Sequence, residues 1–270
     1  MDRPSLQRRL RRLARDGEKR WTARRDPTYR RLSESYHLPE GVKRIYCYHI
    51  RKTGGTSLHF SFLGLGGEDP AAVQQRLEAS SLHRTISGNY AFVAHQRPLL
   101  DQGDYFYGWS HLPARRVSLR PGTFTITIFR DPIDRVVSYY SYLCHGDQQG
   151  MAFAVGQSER ALSDKGFSVF IKELPKEQLL AQLFMFSRSL SVPEAAEQIA
   201  RCSCVMFTDE YESGLVSLAR RLALPLTPKR ERTTRARLEL SSDERERLRH
   251  LLQPEYDLMR QVRDQPRAIH

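Results

Sequence analysis

Short runs rich in apolar, β-branched and aromatic residues alternate along this chain with longer segments whose apolar residues recur at helical spacing. Strands are predicted at Ile45 to about Ile50, Tyr90 to Ala94, Tyr105 to Gly108, Thr123 to Phe129 and Ser203 to Phe207. Helices are predicted over Thr56 to Leu63, 70 to 80, 132 to 144, 166 to 172, 176 to 188 and 193 to 201. Two more follow, one from Phe207 to about Leu224 and a last one that starts at the capping pair Ser241 and Glu244. Within 176 to 188, Leu179, Leu180, Leu183, Phe184 and Phe186 form an apolar face that belongs to the core. Gly64, Gly66 and Gly67 mark a turn, and Pro27 and Pro39 bracket a connecting stretch. The succession predicts an α/β fold, a parallel sheet sandwiched between helices, as a single domain over residues 41–270 preceded by a helical arm over 1–40.

Two strand-to-helix junctions concentrate the chemistry. In the first, an apolar strand breaks into Arg51, Lys52, Thr53, Gly54, Gly55, Thr56 and Ser57 before a helix begins. Adjacent glycines let the backbone turn sharply and approach a ligand, and a helix start offers amide donors and a positive dipole end to an anion. Lys52 adds a point charge and Thr56 and Ser57 add hydroxyls, so the segment reads as a phosphate cradle. In a nucleoside-triphosphate loop the lysine follows the glycines, whereas here it precedes them, which points away from kinases and ATPases. In the second junction, FRDPIDRVVSYY, Asp131 is a helix cap and Pro132 the first helical residue, so Arg130 falls at a strand's C-terminal end, where open α/β sheets bind ligands.

The pair HIRKTGGTSL and FRDPIDRVVSYY, roughly 80 residues apart, resembles the cytosolic and Golgi-type sulfotransferases, closest to the carbohydrate sulfotransferases with a HIPKTGGTS-like loop. The likeness runs from about residue 44 to residue 260 and implies a P-loop-like fold. It implies that the first loop holds the 5′-phosphosulfate of 3′-phosphoadenosine 5′-phosphosulfate, and that Arg130 and Ser138 hold its 3′-phosphate. It places the basic stretch Lys229 to Arg237 where the family closes a loop over 3′,5′-adenosine diphosphate, which would assign Arg232 and Arg235 to the cofactor. Arg51 departs from the pattern by standing where the family most often has proline.

Sulfuryl transfer needs in-line positioning and charge stabilisation, with Lys52 the group to neutralise the departing phosphate and no metal required. The acceptor hydroxyl needs a base. His95 follows the strand YAFVA and so emerges on the same rim as the cradle; it aligns with the histidine of the family's GH segment, with Ala94 in place of the glycine. His111 is the substitute, and His49 and His59 are expected to orient the loop or pack beside it. Tyr105, Phe106, Tyr107 and Trp109 read either as a platform for an acceptor ring or as core. The acceptor class expected is a small molecule, carbohydrate or glycolipid.

Charge and cysteine content refine this. The net charge is +12, and residues 1 to 31 hold 12 Lys or Arg against 4 Asp or Glu, so the excess sits in an arm over a nearly balanced body. The high pI of about 9.8 therefore does not predict nucleic-acid binding. The arm, with Leu6, Leu10 and Leu13 on one stripe of a helix over 5 to 20, either packs on the body or touches an anionic membrane surface. No run approaches the roughly 18 apolar residues of a membrane helix, and the first residues lack an apolar signal core. Four cysteines in predicted strands or a helix read as reduced thiols, and the expected location is cytoplasmic. Two rival readings remain: a P-loop-type kinase using ATP and Mg²⁺, and a non-catalytic nucleotide-binding protein.

Overall fold

The computed structural model describes residues 26–145, 157–228 and 238–264. The predicted helix at 5 to 20 and the basic stretch with Arg232 and Arg235 lie outside them. Six strands, β1 (Arg44–Tyr48), β2 (Arg84–Ser87), β3 (Tyr90–Ala94), β4 (Tyr107–Ser110), β5 (Thr123–Phe129) and β6 (Cys204–Phe207), form one sheet in the order β2-β3-β4-β1-β5-β6. All neighbours are parallel except β2 and β3. The helices of the described residues are α1 (Pro27–Ser33), α2 (Gly55–Leu63), α3 (Pro70–Ala79), α4 (Arg97–Gln102), α5 (Pro132–His145), α6 (Gln157–Ser163), α7 (Phe167–Glu173), α8 (Lys176–Leu179), α9 (Ala181–Phe186), α10 (Val192–Ala200), α11 (Tyr211–Leu222), α12 (Ser242–Leu251) and α13 (Gln253–Asp264).

The α/β expectation holds: helices cover both faces of the sheet, as parallel strands with both faces apolar require. On one face Ile45 and Cys47 of β1 and Ile126 and Ile128 of β5 pack against α2, α3 and α11. On the other, Phe129 and Phe207 pack against α5, α7, α9, α10, α12 and α13. Ile128 and Phe129 are adjacent and fall in opposite cores, which is the two-residue alternation of a strand. Tyr105, Phe106, Tyr107 and Trp109 are all fully or nearly fully buried, so these four are core and not an acceptor platform. All four cysteines are free thiols. Among the described residues no helix is long and apolar enough to cross a membrane.

Four departures from the sequence expectation have physical causes. β2 escapes an apolar scan because Arg84, Thr85 and Ser87 are polar; it pairs antiparallel at the sheet edge with only alternate residues buried. The stretch bracketed by Pro27 and Pro39 contains α1, started by Pro27 in the first turn and by the Asp26 carboxylate accepting from the Thr28 amide. The last helix is two, α12 and α13, meeting at Leu252 just before Pro254, whose ring denies the helix an amide donor.

The fourth departure is the break of the predicted 176 to 188 helix into α8 and α9 at Leu180. The Arg135 guanidinium donates to the Gln178 carbonyl (3.1 Å) and to the Leu179 carbonyl, the last acceptors of α8. The Glu255 carboxylate accepts from the amides of Gln182 (2.7 Å) and Leu183 (3.3 Å), the first donors of α9. One ion pair, Arg135 to Glu255 at 3.7 Å, therefore caps two helix ends at once. Its members are 1% and 0% exposed, so neither charge has water to fall back on.

The strand order fixes where a ligand would sit. After β1 the chain leaves towards β2 and β3 at one edge, and after β5 it leaves towards β6 at the other. The crevice between the C-terminal ends of β1 and β5 is thus the point of divergence, the usual binding place of an open α/β sheet. Both motif junctions border it.

Candidate functional site

At the first junction, His49 to Gly54 join β1 to α2. Lys52 and Gly54 both take left-handed backbone, with φ of 69° and 85°. A lysine held there is strained unless its surroundings fix it. Two contacts do so: Thr53 is buried and its hydroxyl donates to the Ile50 carbonyl (2.9 Å), while Arg130 Nη1 donates to the Lys52 carbonyl (3.3 Å). The Thr53 hydroxyl is therefore occupied inside the loop. Gly54 is the cap of α2 and offers no side chain to cap it; the Ser57 amide turns back to the Gly54 carbonyl (3.1 Å). Such a start leaves donors for an anion.

The two glycines serve different ends. Gly54 is needed for its positive φ. Gly55 is needed for space: a Cβ there would overlap Cδ2 and Nε2 of His49, whose ring lies directly on the helix start.

Three cations border this loop. Lys52 Nζ stands 4.5 Å from the centroid of the Tyr142 ring on α5, within cation–π range. Arg51 reaches towards the Glu159 carboxylate on α6 at 4.0 Å, and Glu159 accepts from the Tyr139 hydroxyl (2.7 Å). Burial and that carboxylate push the Tyr139 phenol well above its ordinary value. Arg130, the third cation, follows β5. Its amide donates to Gln182 Oε1 (2.9 Å) and its carbonyl accepts from Gln182 Nε2 (3.0 Å); Gln182 Nε2 also donates to Glu255 (3.1 Å). Asp131 caps α5 as expected, accepting from the Asp134 amide (2.9 Å). Ser138 is buried two turns into α5. Thr56 and Ser57 are half-buried in the first turn of α2.

Beside the loop stands a file of histidines. His83 and His95 have ring centroids 6.3 Å apart, His95 and His111 5.0 Å, His111 and His49 4.4 Å, and His49 and His59 4.5 Å. His59 ends the file, buried, stacked 4.3 Å from Trp109, with Nδ1 2.8 Å from the Tyr107 hydroxyl. Its Nε2 lies 2.9 Å from His49 Nδ1. His111 Nδ1 donates to the His49 carbonyl (2.7 Å).

Burial, and then crowding by neighbouring cations and rings, lowers the proton affinity of His49, His111 and His95. His49 is held well below the ordinary value by burial, then by His111, His59, His95 and Arg51. Burial, then His95 and Arg51, bring His111 to about 3, against the raising effect of its bond to the His49 carbonyl. Loss of solvation, then His83 and Arg51, bring His95 to about 4. His95 is nonetheless an exposed residue, with His111 the next ring along the file. His95 also has positive φ, 58°, at the end of β3, where its amide donates to the Trp109 carbonyl (2.9 Å). Among the described residues no group of His, Cys, Asp and Glu is disposed to hold a metal ion.

Of the residues singled out in the sequence, Arg51, Lys52, Gly54, Gly55, Thr56 and Ser57 lie on one loop and helix start that Arg130 touches through the Lys52 carbonyl, while Ser138 is buried on α5 with no contact to that loop among those described. His95 joins the same rim through His111 and His49. Sequence reasoning did not find Gln182, Glu255, Tyr142 or Glu159. The buried Glu255 had no readable signal, and its partner Arg135 is not singled out in the sequence either. Comparison with models of known families and with curated proteins finds no match for this chain.

Proposed function

We propose that this protein is a sulfotransferase of P-loop-like fold that moves a sulfuryl group from 3′-phosphoadenosine 5′-phosphosulfate to an acceptor hydroxyl, of a carbohydrate or glycolipid. The observation that carries the reading is the joining of two cationic strand ends: Arg130 after β5 bonds the carbonyl of Lys52 after β1, so positive side chains from two strand ends flank one helix start whose cap residue has no side chain. A nucleotide bearing phosphates at both 3′ and 5′ matches two such positions; a linear triphosphate matches one. In this reading the α2 amides, Lys52 and Arg51 hold the phosphosulfate, and Arg130 with Ser138 holds the 3′-phosphate. Lys52, now against the Tyr142 ring, would neutralise the negative charge that develops on the departing phosphate, which is where electrostatic stabilisation lowers a barrier.

His95 is the base at the opening, with His111 next in line. Its low proton affinity keeps it neutral, with a ring nitrogen unprotonated, throughout the neutral range, although it makes His95 a weaker base. Turnover should therefore be flat around pH 6 to 8, declining only towards a pKa of about 4. Replacing His95 by Ala should lower turnover by about 10² to 10⁴-fold with nucleotide affinity nearly unchanged.

Calorimetry tests the reading. 3′,5′-Adenosine diphosphate should bind more tightly than ATP and without Mg²⁺. Equal affinities, or a requirement for Mg²⁺, would favour the kinase instead.

A further inference from the structure

The file of Tyr107, His59, His49 and His111 does more than fill space: its hydrogen bonds assign a tautomer to each ring. The His59 pair of contacts can run in either of two directions, and chemistry selects one. A phenol is a stronger acid than a neutral imidazole N–H, and an imidazole nitrogen is a stronger acceptor than a phenol oxygen. The Tyr107 hydroxyl therefore donates to His59 Nδ1 across 2.8 Å. The nearby Cys47 thiol, which also engages Tyr107, is a weak acceptor and does not compete. With Nδ1 accepting, neutral His59 carries its proton on Nε2 and donates to His49 Nδ1 across 2.9 Å. His49, neutral by burial and crowding, then carries its proton on Nε2.

That nitrogen is not remote. Cδ2 and Nε2 of His49 are the atoms that would overlap a Cβ at Gly55, so the N–H-bearing edge rests on the first residue of α2. His111 is set the opposite way. Its Nδ1–H is used by the His49 carbonyl, which leaves Nε2 as its acceptor.

We propose that His49 is an anion-binding residue: the Tyr107–His59 file holds it as the Nε2–H tautomer, and it donates that hydrogen to an oxyanion of the sulfuryl or phosphoryl class seated at the start of α2. The same segment holds His111 as the opposite tautomer. One short stretch thus separates a neutral donor for the anion from a neutral acceptor for the proton, although both groups are histidines with ring centroids 4.4 Å apart. The identity of the anion as a sulfuryl group rests on the sulfotransferase reading; the donor role does not.

The test uses the full chain with nitrogen-labelled histidines, followed by ¹⁵N-edited NMR. The expected spectrum shows His49 protonated at Nε2 and His111 at Nδ1. Saturating inorganic pyrophosphate, the minimal probe, should shift the His49 Nε2 resonance. Tyr107→Phe removes one hydroxyl and no ring, and should convert His49 to a mixture of tautomers. His49→Asn should weaken 3′-phosphoadenosine 5′-phosphosulfate about ten- to hundredfold, the range of a hydrogen bond to a charged group, and weaken 3′,5′-adenosine diphosphate less. Where His49→Asn does not fold, the wild-type and Tyr107→Phe spectra decide alone. His49 protonated at Nδ1, an unmoved resonance under saturating pyrophosphate, or an unchanged tautomer in Tyr107→Phe would overturn the proposal. If pyrophosphate moves the resonance while neither adenosine nucleotide binds, the donor role stands and the sulfotransferase reading falls.

Discussion

The two junctions that border the crevice are held by different means. At the β1–α2 junction the shaping contacts come mostly from within the segment: His49 packs on Gly55, Thr53 bonds Ile50, and Gly54 supplies the left-handed turn. At the β5–α5 junction Arg130 is gripped by Gln182, 52 residues away in the chain, and Gln182 is gripped by Glu255, 73 residues further. The local junction is shaped by the loop's own residues, so disturbing it should bear on ligand binding first and cost the fold less. The distant one hangs on a buried ion pair that also ends two helices, so disturbing it removes support from a whole core. Function and stability should respond separately to substitutions at the two places.

The largest expected effect is at Glu255. Glu255→Leu strands the Arg135 guanidinium in the interior and uncaps α9, which should cost about 3–5 kcal/mol of folding stability in chemical denaturation. A loss below 1 kcal/mol would mean that Arg135 and the amides of Gln182 and Leu183 find other partners, and the contrast drawn here would lose one side.

Acid should act on the other side, through the histidine file. Unfolded, His49 and His111 take up a proton near the ordinary value of 6.5; folded, both resist it. The unfolded state then binds more protons below that value, so stability is level above about pH 6.5 and falls as the pH drops towards the folded value of about 3 for His111. The slope is about 1.4 kcal/mol per pH unit for each proton taken up on unfolding. Denaturation midpoints followed from pH 8 to pH 5 check it, and a midpoint that rises towards pH 5 contradicts the buried neutral file.

Gly55→Ala comes next. The added methyl forces the His49 ring off the start of α2, an overpacking that should cost about 1–3 kcal/mol of stability. Nucleotide affinity should fall as well, because the displaced ring no longer presents its Nε2 at the start of α2. Equal affinity in calorimetry for the wild type and the variant would show that the glycine serves packing only. The smallest effect is expected for Glu159→Gln: Arg51 and Glu159 stand 4.0 Å apart and are partly solvated, so stability should change by less than about 1 kcal/mol.

The same contrast explains what could be read from the sequence. Gly54, Gly55 and the Asp131–Pro132 start of α5 announce local backbone requirements, and each sits where its neighbours demand. The helical periodicity of 176 to 188 was equally clear and misled, because nothing within that segment reveals that Glu255 will cap a new helix at its middle. The aromatic run at Tyr105 to Trp109 left platform and core open until burial decided it. His49, His59 and His111 were visible as residues, but their order in a file follows from strand neighbours, with β1 beside β4 and β4 beside β3.

The central claim is that both junctions serve one ligand, the β1 loop taking its 5′ end and Arg130 its 3′ end. Calorimetry of Arg130→Ala against two nucleotides tests this most directly. The account predicts that 3′,5′-adenosine diphosphate loses about 1.5–3 kcal/mol more affinity than 5′-AMP, the worth of a charge-assisted hydrogen bond, the smaller loss for 5′-AMP reporting the missing support of the Lys52 carbonyl. An equal loss for both ligands would contradict it, because Arg130 would then act only as a strut beneath Lys52.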